Sequence, residues 1–361
     1  MRTYLDHNAT SPLRPAVKDA MRAAMDVDGN ASSVHKEGRA ARKLLDDSRE
    51  TVARELGVIA PMIVFTSGGS EANNLAIKSA PVERLLISSI EHPAVIESAR
   101  AAKKPAEFIP VTPEGIVDLE ALSKMLAGPK ALVSVMLANN ETGVIQPLRE
   151  IVSLAQAHGA LVHTDAVQAF GKMPVNFGLL GVDMMTIAAH KVGGPTGIGA
   201  LVVRDGLPLE PLVHGGGQEL RRRAGTENLV GIAGFAAIAK ETHLNVKALQ
   251  AQLEEALADA VIFGGDAPRL SNTTNFAHPG MSAETLLMNF DLEGIAVSSG
   301  SACSSGKVTK SHVLTAMGVG PDLSKAAIRV SLGWNTTSEH IEHFIAVWRR
   351  LMARHKAKAA A

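Results

Sequence analysis

Between Met62 and Val203 the chain alternates short apolar runs with segments of helical texture, and this alternation narrows the possible folds more than anything else in it. Met62–Thr66, Arg84–Ile90, Glu107–Val111, Ala131–Leu137 and Leu161–Ala166 are short and apolar enough to be buried strands. Asn73–Ser79, Pro93–Lys103, Asp118–Leu126 and Leu148–His158 lie between them and have helical composition. Two more helices are expected upstream, over Ala16–Met25 and Arg39–Leu56, the second closed by Gly57. Asn30–Gly38 reads as the polar connection between them. Strand–helix alternation of this length specifies an α/β domain built on a mainly parallel sheet. In such sheets ligands gather at the carboxyl ends of the strands. The polar clusters Ser67–Glu71, Glu91-His92, Asn139-Asn140 and Asp165–Gln168 all fall there.

After Pro211 the texture changes. A polar loop carries His214-Gly-Gly-Gly-Gln218 and Arg221-Arg-Arg-Ala-Gly-Thr226, and a helical stretch from Asn228 to Ala258 follows, interrupted near Thr242–Asn245. Shorter elements come next, over Asn272–Ala277, Ala283–Phe290, Ala296–Gly300, Ser311–Met317, Ala327–Leu332 and Ser338–Arg354, with a tail from Arg354 to Ala361 expected to fray. This is the pattern of a smaller α+β unit. The expected division is a large domain over 12–258 and a small one made of 1–11 with 259–361; a chain of 361 residues has ample length for both.

Composition excludes several classes. Lys+Arg and Asp+Glu both total 36, so no charge excess calls for nucleic acid or a membrane surface. Aromatic residues are only 3%, too few for a base-stacking surface. No apolar run approaches the ~20 residues of a membrane span, and the first residues lack the apolar stretch of a signal peptide. The single cysteine, Cys303, allows no intrachain disulfide and no all-cysteine metal site. A cytoplasmic enzyme or binding protein without a metal is the expectation.

The stretch from Asp183 to Val203 adds chemistry to this frame. Two apolar runs flank His190-Lys191 and a bend containing Gly193, Gly194, Gly197 and Gly199. Glycines let the chain turn and let a ligand come close. A lysine in a dry pocket gives up its proton more readily, and the neutral amine attacks aldehydes to form a Schiff base; most lysines, however, are simply solvated. Gly69 and Ser70 stand at a strand-to-helix junction, where main-chain N–H groups bind anions such as phosphate, although a simple helix cap is the plainer use of such serines. Asp165 ends a strand and could cap the next turn or keep a pyridinium nitrogen protonated. His92 could be structural or a proton carrier beside a cofactor ring. An amine, a phosphate nest and a carboxylate are together what a pyridoxal cofactor requires.

Whole segments carry a resemblance. Thr66-Ser-Gly-Gly-Ser-Glu-Ala-Asn-Asn74, Glu91-His-Pro-Ala-Val95, Asn139-Asn-Glu-Thr-Gly143, His163-Thr-Asp-Ala-Val-Gln168, Ala189-His-Lys191, Arg222-Arg-Ala-Gly-Thr-Glu-Asn228 and Ser298-Ser-Gly-Ser-Ala-Cys-Ser-Ser-Gly306 resemble, in order, the cysteine desulfurases of the NifS/IscS type. The likeness runs from about Tyr4 to Glu342. It implies the class V aminotransferase architecture, a pyridoxal 5'-phosphate-dependent fold type I, in a homodimer.

By the same resemblance Lys191 is the cofactor lysine, Asp165 the partner of the pyridine nitrogen, Gln168 a hydrogen-bond partner of the ring hydroxyl, and His92 the residue stacked on the ring. Gly69, Ser70 and His190 would hold the phosphate, with Thr226 added from the other subunit. Asn140 and Arg329 would bind the carboxylate of L-cysteine, a task that suits a planar guanidinium. Cys303, set among serines and glycines that suit an exposed loop, would take the sulfur as a persulfide and pass it to an iron–sulfur scaffold or another acceptor. One departure stands out: the family usually has a hydroxyl residue at the position of Ala188, so one phosphate contact is missing or replaced. An aminotransferase of the same fold and a selenocysteine lyase are the alternatives, and the first leaves Cys303 without a task.

Overall fold

The computed structural model describes residues 2–241, 244–300 and 310–359. In chain order the first half comprises β1 (Thr3–Tyr4), α1 (Pro15–Met25), α2 (Lys36–Leu56), β2 (Ile63–Thr66), α3 (Gly69–Ser79), β3 (Arg84–Ser88), α4 (Pro93–Arg100) and β4 (Ala106–Ile109). There follow α5 (Leu119–Met125), β5 (Ala131–Ser134), α6 (Leu148–Ala157), β6 (Leu161–Asp165), α7 (Phe177–Leu180), β7 (Met184–Ala188) and β8 (Gly199–Val203). The remainder is α8 (Leu229–Ala239), α9 (Lys247–Glu255), β9 (Val261–Ile262), β10 (Thr273–Ala277), α10 (Ala283–Leu292), β11 (Ile295–Ala296), β12 (Ser298–Ser299), α11 (His312–Ala316), α12 (Pro321–Ala326), β13 (Ile328–Ser331) and α13 (Ser338–Ala359).

Seven strands form the main sheet in the order β2-β8-β7-β6-β5-β3-β4. The pairs from β7 through β4 are parallel, whereas β8 runs antiparallel to both β7 and β2. Its strands are apolar on both faces because both faces are covered. Phe65, Leu86, Val133, Val162 and Ile187 enter one core with α2 and α8, while Val64, Leu85, Ile87, Leu132 and Leu201 enter the other with α3 and α4. This is the expected α/β architecture with a mainly parallel sheet.

A second, antiparallel sheet has the order β12-β13-β10-β9. Its core is aromatic: Phe276 meets Trp348 edge-on at 5.3 Å, and Phe290 stacks on Phe344 at 5.0 Å. Leu253 and Leu257, from α9 and just beyond it, enter this core, as does Leu5. The chain's first residues are tied in by the parallel pairing of β1 with β11 and by a bridge from Asp6 to Ser331.

Two differences from expectation have physical causes. Helix α2 starts at Lys36, inside the stretch read as a connection, because the His35 ring caps it by accepting from Gly38 N. Helix α13 runs on to Ala359, past the Arg354 at which fraying was expected; its Ala- and Lys-rich end has high intrinsic helix propensity. Among the described residues no helix is long and apolar enough to cross a membrane.

Candidate active site

The carboxyl ends of β2, β3, β5, β6 and β7 converge on a cavity of about 300 Å³. Gly69, Ser70, His92, Asn140, Asp165, Gln168, His190, Lys191 and Arg329 all line it, although they span most of the chain. Asn8, Ala9, Asn73, Met136, Val167 and Ala188 complete its wall.

Lys191 stands in the connection after β7, and its Nζ donates to the carbonyls of Asn8 at 2.7 Å and Ala9 at 3.0 Å. Asp165 is buried at the end of β6. One of its oxygens accepts from Asn73 Nδ2 at 2.7 Å and the other from Val167 N at 2.9 Å, so it caps the turn and faces the cavity at once. Gln168 donates from Nε2 to Asn8 O at 3.1 Å and accepts at Oε1 from Lys172 Nζ at 2.6 Å.

His92 caps α4 by accepting at Nδ1 from Ala94 N, 3.1 Å away. A neutral ring committed in this way carries its proton on Nε2. Burial is the main reason its pKa is lowered; Asp165 pulls the other way, and Lys191 and His312 add to the lowering. His190 is pushed down to about 4 by burial and then by Lys191 and Lys172, so it is a neutral donor or acceptor at pH 7.

The nest at the start of α3 owes its shape to two glycines. A Cβ on Gly69 would meet Val167 Cγ2 at 2.9 Å, and one on Gly199 would meet the Gly68 carbonyl carbon at 2.7 Å. The register between β2 and β8, which places Gly199 opposite Thr66, therefore sets the nest against the lysine-bearing connection. Glu71 closes the nest from outside, accepting from Ser67 N at 2.7 Å and from Arg223 Nε at 2.8 Å. Burial works against its charge, but these donors hold its carboxyl below the usual range.

Arg329, on β13, forms the opposite wall and is almost wholly buried. It donates to Asn140 O and to Asp6 Oδ1, both at 2.9 Å. Its Nε and the neighbouring Asn140 Oδ1 have no hydrogen-bond partner among the described residues. Two buried, unpaired polar atoms on one cavity wall are what a small polar ligand would satisfy.

One expected site residue does not line this cavity. Thr226 is exposed on the loop before α8 and is not part of the wall. Cys303 lies outside the described residues. The structure also adds residues that the sequence reading did not single out. Asn8 and Lys172 support Lys191 and Gln168. Glu91, fully buried, accepts from Met136 N at 2.6 Å and is pushed well above the usual carboxyl range by burial and then by Asp165. Asn8 lies in the polar run Asp6-His-Asn-Ala-Thr10.

An α/β sheet that gathers a lysine, a buried carboxylate, a glycine-shaped nest and an arginine at its carboxyl edge defines a cofactor-type enzyme rather than a binding module. Comparison with known proteins specifies which. The model of the aminotransferase class-V family matches residues 3–344. The cysteine desulfurase IscS of Dictyoglomus turgidum is 39% identical, over 97% of this chain and 94% of that protein. An IscS-like cysteine desulfurase of Mycobacterium tuberculosis is 37% identical over 99% and 98%. Among solved structures, a NifS-like protein from Rickettsia africae superposes with a TM-score of 0.90 at 38% identity, covering 98% of this chain and all of that one. The chain belongs to the class-V aminotransferases, in their NifS/IscS-like cysteine desulfurase family.

Proposed function

We propose that the protein is a cysteine desulfurase that uses pyridoxal 5'-phosphate, converts L-cysteine to L-alanine and keeps the sulfur on Cys303 as a persulfide. The observation that carries this reading is the presence in one cavity of Lys191, Asp165 and the incompletely satisfied pair Arg329 and Asn140. A solved relative, SspA, is described in complex with cysteine; it shares 32% identity and a TM-score of 0.83, over 91% of this chain and 98% of that one.

The residues present fit the cofactor. The nest admits a close approach only because Gly69 has no side chain, and the cavity has the volume of a small-molecule site. Gly69, Ser70 and His190 would hold the phosphate, Asp165 would keep a proton on the ring nitrogen, and Gln168 would donate to the ring hydroxyl. His92 would lie on the ring face. When bound, the cofactor supplies an electron sink for charge developing at the substrate's α-carbon.

The chain's own groups do the rest. Arg329 and Asn140 bind the substrate carboxylate and fix the α-carbon before Lys191. Lys191 Nζ, already held by two carbonyls, moves the proton at that carbon. The Cys303 thiolate attacks the substrate's sulfur, so that an S–S bond forms as the C–S bond breaks. The bonding pair stays on carbon and takes up a proton, giving alanine; cysteine and enzyme thiol become alanine and enzyme persulfide. For His92 to receive a proton at Nδ1, its cap on Ala94 must open; otherwise it serves from Nε2 as a donor.

The same reading makes the protein a cytoplasmic homodimer. Its support is a surface that exposes Val34 at 87% and Leu220 at 58% beside the loop bearing Thr226. Thr226 would then complete the partner subunit's phosphate site, and the persulfide would pass to an iron–sulfur scaffold or another acceptor protein.

The test is to incubate the purified protein with L-cysteine and measure alanine and protein persulfide together. They should appear in equal amounts in the first turnover, and Cys303→Ala should lose both. Alanine formed at the original rate by Cys303→Ala would sink the reading, as would amino transfer to a keto acid without persulfide.

A further inference from the structure

Lys172 is a lysine with almost no exposure to solvent, and no step of the reaction uses it. It lies in the turn after β6, four residues beyond Gln168. Its Nζ donates to two side-chain oxygens, Asn8 Oδ1 at 2.6 Å and Gln168 Oε1 at 2.6 Å. Among the described residues no ion pair balances it; Lys191, Arg329, His7 and His190 are the titratable groups whose charges it feels or affects. A salt bridge would explain a buried lysine as packing. A lysine spent on two neutral amides of one cavity wall calls for another account.

We propose that Lys172 is a positioning residue of the active site: it fixes the amide orientation of Gln168, so that Gln168 presents N–H to the cavity, and it anchors the side chain of Asn8, whose main-chain carbonyl meets Lys191. An amide side chain can be turned over, exchanging donor for acceptor with little change in shape. With Lys172 donating to Gln168 Oε1, that oxygen must face away from Asn8, and Nε2 is the end that meets Asn8 O. Nε2 then has a second hydrogen for the cavity that Gln168 lines. Asn8 is held in the same way. Its Oδ1 accepts from Lys172 and Asn272, its Nδ2 donates to Thr273 Oγ1, and its main-chain carbonyl accepts from Lys191. One amine thus orients the donor facing the cofactor's ring oxygen and the residue that steadies the reactive lysine.

Burial, and then the charges of Lys191 and Arg329, push the Lys172 pKa well below that of an ordinary lysine. The positioning does not depend on its charge, because a neutral amine still has two N–H groups for its two acceptors.

This inference rests on the proposed reading that Gln168 faces pyridoxal phosphate, and its test separates the two. Wild type, Lys172→Met, Gln168→Leu and the double variant are freed of cofactor, reloaded with pyridoxal phosphate, and titrated for affinity and for the pH dependence of the bound cofactor's absorbance. In Lys172→Met affinity should fall about fivefold to tenfold, and the absorbance midpoint should rise by about half to one pH unit, as a lost donor to the ring oxygen requires. A packing role alone would lower stability without moving that midpoint. Because Lys172 acts through Gln168, the double variant should shift no further than Gln168→Leu. If Lys172→Met does not fold, Lys172→Gln, which keeps one donor, should show a smaller shift of the same sign. An unmoved midpoint, additive shifts, or failure of both variants to fold would overturn the proposal. Wild-type protein that takes up no pyridoxal phosphate would instead reject the reading beneath it.

Discussion

The two walls of the cavity are built differently. On the sheet side, Asp165 has both oxygens engaged by Asn73 and Val167, and Gln168 is engaged at both ends of its amide. Across from them, Arg329 of the smaller sheet is tied to Asp6 and to Asn140 after β5, yet Arg329 Nε and Asn140 Oδ1 have no partner among the described residues. Asp165 and Gln168, whose polar atoms are spoken for, suit a group that stays, with Asn73 Oδ1 the one atom beside them in that wall left over for it among the described residues; Arg329 and Asn140, with buried atoms in waiting, suit one that comes and goes. The first is preorganised, and the second gains its last hydrogen bonds on binding.

The largest expected effect breaks the sheet side. Lys191→Ala should lower alanine formation at least a thousandfold, the usual worth of a proton-transferring group, while Asp165 and the nest still bind the cofactor. Activity within tenfold of wild type would move the proton transfer elsewhere. On the other wall, Arg329→Lys keeps the charge but loses the fork, and should raise KM for cysteine by about tenfold to a hundredfold with a smaller change in kcat. An equal fall in kcat with unchanged KM would mean that Arg329 does not hold the incoming substrate.

A third test addresses the carboxyl behind that wall. Glu141 is fully buried and accepts from Ser311; burial pushes its pKa up to about 7, with Ser311 and Arg329 opposing. Its folded pKa is above the ordinary value, so its stabilising contribution is complete below about pH 4.5 and is lost as pH rises through about 7. Glu141→Gln stays neutral, and relative to wild type it should gain up to about 3 kcal/mol between pH 5 and pH 8. Denaturant melts at the two pH values decide it, and parallel pH profiles would refute it. The smallest effect is at Ala188, buried beside the nest. Ala188→Ser offers one more donor and should tighten cofactor binding by tenfold at most. Markedly weaker binding in a folded variant would show a pocket shaped around alanine.

The sheet side was also the more legible in the sequence. Its strands announce themselves as apolar runs and its polar residues stand at their ends, so Lys191, Asp165, Gln168 and His92 could be placed together from pattern alone. Asn140 stood at a strand end by pattern and took its task from the resemblance, whereas Arg329 came only by resemblance, because nothing local says that β13 of the smaller sheet folds back to face β5. Lys172 and Asn8 were passed over for opposite reasons. A lysine is assumed solvated until a structure buries it, and an asparagine near a chain's start is assumed to serve the next helix. Reversal of β8 was equally hidden, since a buried strand reads the same in either direction.

Asn8 has a consequence for how the protein is made. Lys191, which leans on its carbonyl, follows 183 residues later, and the Asp6–Arg329 ion pair joins residues 323 apart. At the usual pace of translation, Asp6 and Asn8 wait on the order of tens of seconds for the residues they will hold. A nascent chain can build its sheet and its glycine-shaped nest early, but the wall that carries Arg329 cannot close until β13 has left the ribosome. Half-made enzyme is therefore spared from acting on cysteine, because its ends have not yet met.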